Sequence, residues 1–305
     1  MFINNYMKKF IVVTGGCGFV GSNLIEYLLK KTKNNIICID DYSSGSRKNH
    51  FKSKRVKYIK SHTKFISKVL SRYKKNIITI FHFGEFSRIY QSFLYMNECI
   101  RSNTIGTNAV FDFCLTNKIK LIYSATSASL GNKGKDKDLS PYAFTKSKNL
   151  ELLENLKTWF NFKYEVIFFY NVYGPRQISK GKMATVIGIF EDHYIKNKPL
   201  PVVRPGTQSR RFTHIYDTIK VCFIAWKNNK CRHYSVSNKK SYTIMETAKL
   251  FRSKIKYLPS RKGERFASAL TTMSLKSKVY KYFGELKLKD YVDNFIKKHQ
   301  KLSKF

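Results

Sequence analysis

The segment Phe10-Ile11-Val12-Val13-Thr14-Gly15-Gly16-Cys17-Gly18-Phe19-Val20-Gly21 constrains this chain more than any other. An apolar run of strand length feeds directly into glycines at 15, 18 and 21, and an amphipathic helical pattern opens at Phe19. Gly15 permits a tight turn, Gly18 lets backbone approach a pyrophosphate, and Gly21 lets helix and strand pack closely. The free N–H groups of the following helix end suit the same anion. The next strand closes on Asp40, 19 residues beyond Gly21, where a carboxylate accepts the hydroxyls of an adenosine ribose. A surface aspartate near an ordinary glycine turn is the competing reading, but the ordered strand, turn, helix, strand and acid disfavour it. A carboxylate at this place also selects NAD over NADP, a preference that Arg47 and Lys48 just behind it would soften.

Strand-like runs at Phe10–Thr14, 36–40, 56–59, Ile77–His82, 120–124 and 164–168 alternate with helical patterns at Phe19–Lys31, 65–73, 90–116 and 142–160. This alternation predicts an α/β fold with a doubly wound parallel Rossmann sheet covered on both faces. After Asn171, glycine, proline and arginine become frequent and the strands shorten. We therefore expect residues 1–170 to form the dinucleotide-binding domain, with 215–235 returning to it. Residues 171–305 should form mainly a smaller, interleaved C-terminal substrate lobe.

The charge is unusual: 58 Lys and Arg against 19 Asp and Glu leave +39. Lysines occur in nearly every segment, so solvated faces account for the excess better than a nucleic-acid surface does, and no RNA or DNA partner is expected. A positive surface would still attract a diphosphate-bearing substrate. The longest apolar runs are too short to cross a bilayer, and the polar, basic start followed by four apolar residues is no signal peptide. Six scattered cysteines form no Cys-x-x-Cys pair and no metal-spaced cluster, which predicts no metal site and a reduced, cytoplasmic setting.

Tyr142 and Lys146 lie four apart near a predicted helix start, on one face. An ammonium there would lower the phenol from about 10 and make Tyr142 a base near neutrality. The same spacing recurs at Tyr27/Lys31, Tyr194/Lys198 and Tyr216/Lys220, so spacing alone selects nothing. Context does: only Tyr142 follows a strand and the hydroxyl-rich stretch Ser124-Ala125-Thr126-Ser127-Ala128-Ser129, and Ser140-Pro141 before it is a helix-start signal.

With these residues in view, the chain resembles the extended short-chain dehydrogenases, and within them the NAD-dependent nucleotide-sugar epimerases and dehydratases. The likeness is carried by Thr14-Gly15-Gly16-x-Gly18-Phe19-x-Gly21-Ser22, Asp40-Asp41-Tyr42-Ser43-Ser44-Gly45, His82-Phe83-Gly84 and Asn103-Thr104-Ile105-Gly106-Thr107. It continues through Ser140-Pro141-Tyr142-Ala143-Phe144-Thr145-Lys146, Asn171-Val172-Tyr173-Gly174-Pro175-Arg176-Gln177, Gly206 to His214, and Arg261-Lys262-Gly263-Glu264. The resemblance implies that Gly15, Gly18, Phe19, Val20, Gly21, Asp40, Asp41, His82, Phe83 and Asn103, with Tyr142 and Lys146, hold NAD. It implies that Thr126, Tyr142 and Lys146 are catalytic, and that Asn171, Arg210, Arg261 and Glu264 hold a nucleotide diphosphate. For the arginines, charge-assisted bonding to phosphate is an independent reason.

The departures from the family pattern are specific. Ser127-Ala128 stands where dehydratases of this type carry the acids that expel water, which disfavours dehydration. His62 replaces an Asp beside the adenine, and the stretch from Thr126 to Tyr142 is short. Glu85-Phe86-Ser87-Arg88 replaces a small apolar segment beside the nicotinamide, which makes Glu85 and Arg88 candidate substrate residues. Arg88 would pair with a substrate carboxylate or with Glu85. The resulting expectation is a nucleotide-sugar 4-epimerase, UDP-sugars favoured, acting through a transient 4-keto sugar. A nucleotide-sugar dehydrogenase, reductase or 3,5-epimerase-reductase is the alternative among enzymes, and an RNA-binding or redox-sensing Rossmann protein the alternative outside them. Apolar residues on several faces of the helices at 90–116 and 142–160, together with the resemblance, predict a homodimer.

Overall fold

The computed structural model describes residues 8–127, 137–260 and 279–302. Six strands, β1 (Phe10–Thr14), β2 (Asn35–Asp40), β3 (Val56–Lys60), β4 (Ile77–His82), β5 (Lys120–Thr126) and β6 (Tyr164–Phe169), join two later ones, His233–Ser237 and Val279–Phe283. They make one eight-stranded sheet in the order Val279–Phe283, His233–Ser237, β6, β5, β4, β1, β2, β3. Every neighbouring pair is parallel. The strand order reverses between β1 and β4, and an open parallel sheet leaves its ligand crevice at such a reversal, beyond the carboxyl ends of the strands.

Side chains alternate across the sheet, so neighbouring apolar residues serve opposite cores. Val12, Ile80, Leu121, Tyr123 and Val166 share one core with Val110, Phe111, Leu150 and Leu153 of the helices Thr107–Thr116 and Pro141–Phe160. Ile11, Val13, Phe81, Ile122 and Ile167 share the other with α1 (Phe19–Lys31) and the helix Ile215–Asn228. Both faces are thus covered, which explains why the strands read as unbroken apolar runs.

Three elements differ from the sequence reading. The long helix expected over 90–116 is divided into Ile89–Leu94, Met96–Ile100, a π-helical stretch Arg101–Gly106, and Thr107–Thr116. Tyr95 breaks the first turn with non-helical backbone (φ −125°, ψ 48°), and the wider π turn carries Asn103. Strand β5 runs two residues past Ser124, so Thr126 ends a strand instead of lying in a loop. The pattern at 65–73 yields only the short helix Ile66–Leu70.

Beyond β6, the helix Ile215–Asn228 and strand His233–Ser237 return to the main sheet, and Val279–Phe283, which the strand pattern did not predict, extends it. A separate core gathers Phe190, Phe212, Phe251 and Val292. It is built from the helices Val186–Ile195, Ile244–Leu250 and Leu288–Leu302 around the parallel pair Leu200–Val203 and Ile255–Leu258. Among the described residues, no helix is long and apolar enough to cross a membrane.

Candidate active site

A cavity of about 780 Å³ lies over the carboxyl ends of the strands, within the span usual for ligand sites. One end is made of backbone. Gly15 has φ +67°, and a Cβ on it would come within 2.8 Å of the Phe83 carbonyl and the Gly84 nitrogen. A Cβ on Gly21 would sit 2.2 Å from the Gly15 oxygen, whereas one on Gly18 would meet that oxygen at 3.2 Å. The turn therefore locks strand to helix at Gly15 and Gly21 and leaves Gly18 facing the cavity. Gly15, Gly18, Phe19, Val20 and Gly21 all line it.

Asp40 and Asp41 line the same end. The Asp40 carboxylate accepts from the backbone nitrogens of Cys17 (2.9 Å) and Tyr42 (2.8 Å), so it also braces the glycine turn. Burial pushes its pKa up, against these two bonds. His62 lines the cavity with Nδ1 accepting from the Lys64 nitrogen.

Phe83 lines the cavity, but His82 and Asn103 are absent from its wall and fully buried. Asn103 holds Phe86 by both backbone groups, accepting from its nitrogen at 2.7 Å and donating to its oxygen at 3.0 Å. Asn103 thereby fixes the loop after β4, and His82 at the end of that strand is bonded to Thr14 and Thr107.

The other end is made of side chains. Ser140 caps the helix Pro141–Phe160 by accepting from the Ala143 nitrogen, with Pro141 at its first position. The first turns of that helix aim Tyr142 and Lys146 into the cavity beside Thr126 and Ser127 at the end of β5. Tyr142 and Thr126 are hydrogen-bonded.

The electrostatics correct the expected phenolate near neutrality. Burial raises Tyr142 to about 12; the Thr126 bond and Arg88 oppose this, and the Glu85 charge adds to it. The Lys146 ammonium is ion-paired with the Glu85 carboxylate, the two side chains being 4% and 2% exposed, and it also donates to the Ser124 carbonyl at 2.5 Å. Its charge is matched before it can act on the phenol. Glu85, expected on the substrate, lines the cavity and is paired with Lys146. Arg88 pairs with neither Glu85 nor another described carboxylate: its guanidinium donates to the Ser87, Met183 and Ala184 carbonyls and lines the cavity.

Of the remaining predicted residues, Asn171 and Arg210 line the cavity, while Arg261, Glu264 and Ala128 lie outside the described residues. Sequence reasoning missed Arg101 and Lys182 in the wall; two basic residues among 58 give no signal. It also missed the groups that hold Glu85: Thr107 (2.9 Å), Tyr123 (3.1 Å) and Asn149 (3.4 Å) all reach Oε1. Asn149 had one available clue, its position three residues after Lys146 on the same helix.

A dinucleotide fits what is present: a turn that a Cβ would fill, helix N–H groups behind it, a carboxylate at the end of β2, and a hydroxyl–phenol pair at the far end. These features define an α/β protein built for redox chemistry with a dinucleotide. Residues 11–237 match the model of the NAD dependent epimerase/dehydratase family, and the chain belongs to that family, with NAD as its cofactor. An uncharacterized UDP-glucose epimerase of Bacillus subtilis is 30% identical over 227 residues, 69% of this chain and 70% of that protein. The ADP-L-glycero-D-manno-heptose-6-epimerase of Brachyspira hyodysenteriae is 29% identical over 258 residues, 78% of this chain and 79% of that protein. Among solved structures, the UDP-glucose 4-epimerase of Thermotoga maritima shares the fold, with a TM-score of 0.82 at 20% identity over 96% of this chain and 99% of that one.

Proposed function

We propose that this protein is a nucleotide-sugar 4-epimerase taking a UDP-sugar. The observation that carries this reading is the hydrogen-bonded Thr126–Tyr142 pair, with Lys146 beside it, in the same cavity as the glycine turn. Thr126 holds the C4 hydroxyl of the sugar, and Tyr142 takes its proton as the phenolate, the form that the positive charge of bound NAD would favour against the burial that raises the phenol. NAD, when bound, supplies the acceptance and return of the C4 hydride, so no net oxidation results. Asn171 and Arg210, with Arg261 and Glu264, anchor the diphosphate while the 4-keto sugar turns about it, and Tyr142 gives the proton back. Tight anchoring of the diphosphate with loose holding of the sugar is what this chemistry requires. Ser127, following Thr126 where a dehydratase carries an acid, supports epimerisation over loss of water.

The lobe around Phe190 and Phe251 is read as the nucleotide-sugar lobe. The exposed Leu94, Met96, Ile105 and Phe144 on the helices beside the site support a homodimer, and a monomer in sizing chromatography at micromolar concentration would remove that proposal. The purified protein should interconvert a UDP-hexose pair without added cofactor. Tyr142→Phe should slow it by about 10²- to 10⁴-fold, the usual contribution of a positioned acid–base group, with NAD still bound. An unchanged rate would show that Tyr142 is not the base, and net consumption of NADH would point to a reductase.

A further inference from the structure

We propose that Cys17 and Cys38 form an oxidative modification site beneath the glycine turn: a peroxide joins the two thiols as a disulfide, and the turn so joined releases NAD.

Cys17 lies inside the turn, one residue before Gly18, and Cys38 lies in β2, paired with Val13 of β1. Both thiols are free and fully buried, with their sulfurs 3.6 Å apart. Gly16 permits this approach, because a Cβ on it would stand 2.5 Å from the Cys38 sulfur. The Cys17 sulfur also meets His50 Nε2 at 3.4 Å. Cys17 sits just before the N-terminal end of α1, a place that favours a thiolate, and the bond from the Cys38 thiol lowers it against its burial. Cys114 and Cys222 make the contrast: each is buried without a sulfur neighbour, and burial raises both. Cys17 is thus placed as the nucleophile, Cys38 as the resolving thiol, and His50 as the group that exchanges their protons.

The segment 41–50 covers the pair. The Tyr42 hydroxyl is bonded to His50 Nε2 at 2.9 Å, while the Ser46 nitrogen and the Asn49 side chain donate to the Cys17 carbonyl at 3.0 and 2.8 Å. Its one regular element is the three-residue helix Arg47–Asn49, so a brief local opening admits a small oxidant. The Cys17 thiolate attacks a peroxide oxygen: the S–O bond forms, the O–O bond breaks, and hydroxide leaves with the thiol proton as water. The Cys38 sulfur then attacks the Cys17 sulfenic acid: the S–S bond forms, the S–O bond breaks, and a second water leaves with the Cys38 proton. The two thiols lose two electrons, and one peroxide becomes two waters.

The link draws the sulfurs from 3.6 Å to about 2 Å. Cys17 cannot follow alone, since its nitrogen donates to the Asp40 carboxylate at 2.9 Å and its carbonyl is held by Ser46 and Asn49. Gly21 already stands against the Gly15 carbonyl without room to yield. The turn therefore leaves the shape that receives a pyrophosphate. A reversible link of this kind suits a reducing compartment, where disulfides are transient.

The test treats the protein, carrying its NAD, with hydrogen peroxide, removes free nucleotide by gel filtration, and reads intact mass, linked peptides and NAD affinity. The chain should become lighter by about 2 Da, with one link joining Cys17 to Cys38. NAD affinity should fall at least about tenfold and return with dithiothreitol. Cys38→Ala should keep its NAD through the same treatment; if that variant does not fold, recovery of the unaltered chain with dithiothreitol makes the same distinction. Absence of the link at doses that oxidise the partly exposed Cys231 overturns the proposal. So does a link that leaves NAD affinity unchanged, or an equal loss of NAD in Cys38→Ala. NAD binding is read without turnover, so the result is separate from the role of Tyr142.

Discussion

The two ends of the cavity are made in different ways. The glycine end is backbone: a turn whose shape follows from missing side chains, closed on itself where Gly21 meets Gly15, packed at Gly15 against the backbone of Phe83 and Gly84, and braced by the Asp40 carboxylate. The end holding Tyr142 is side chain: Thr14, His82, Glu85, Thr107, Tyr123, Lys146 and Asn149 come from three strands, a loop and two helices, and each is held by residues distant in the chain. The first end has no room for an added atom at Gly15 or Gly21, and the second depends on polar atoms that partner one another. On the proposed function, the rigid half would bind the cofactor and the networked half would set the chemistry.

The largest effect should come from adding one carbon to the rigid half. Gly21→Ala would put its Cβ 2.2 Å from a backbone oxygen, with no flexible side chain to yield. We expect NAD affinity to fall by about 100-fold or more, equivalent to about 2.7 kcal/mol, as measured by calorimetry. Gly18→Ala, at 3.2 Å from the same oxygen, should cost less than about tenfold. Equal losses in the two would show that the turn does not lock at Gly21.

A smaller effect should follow from removing one atom from the networked half. Thr107→Val takes a donor from Glu85 and leaves the buried His82 Nε2–H without its acceptor. Denaturant unfolding should show a loss of about 1–3 kcal/mol, with NAD affinity nearly unchanged. An equal loss of NAD affinity would mean that the two halves are coupled, and the comparison would fail.

The contrast explains what the sequence revealed. Periodicity placed β1, β4 and α1 at their observed bounds, because local patterns of apolar residues decide those elements. The glycine turn was legible because its physics is local, and Tyr142 because Ser140-Pro141 marks its helix. The break at Tyr95, the π turn at Asn103 and the strand Val279–Phe283 were not legible, since tertiary contacts create them. Glu85 was noticed as a departure and placed on the substrate; it lines the cavity, and its ion pair with Lys146, 61 residues away, forms only when β4 and β5 lie side by side. His82 and Asn103 carry motif positions, yet motif position does not say whether a side chain faces a ligand or supports the wall behind it.

The central claim is that hydride leaves C4 of the sugar and returns to the same carbon within one closed site. It is tested most directly by running the UDP-hexose interconversion to equilibrium in deuterium oxide and reading the product by NMR. The account predicts inversion at C4 with the original hydrogen retained and no deuterium there. Deuterium at C4 would contradict it, because the hydrogen would then have passed through solvent as a proton.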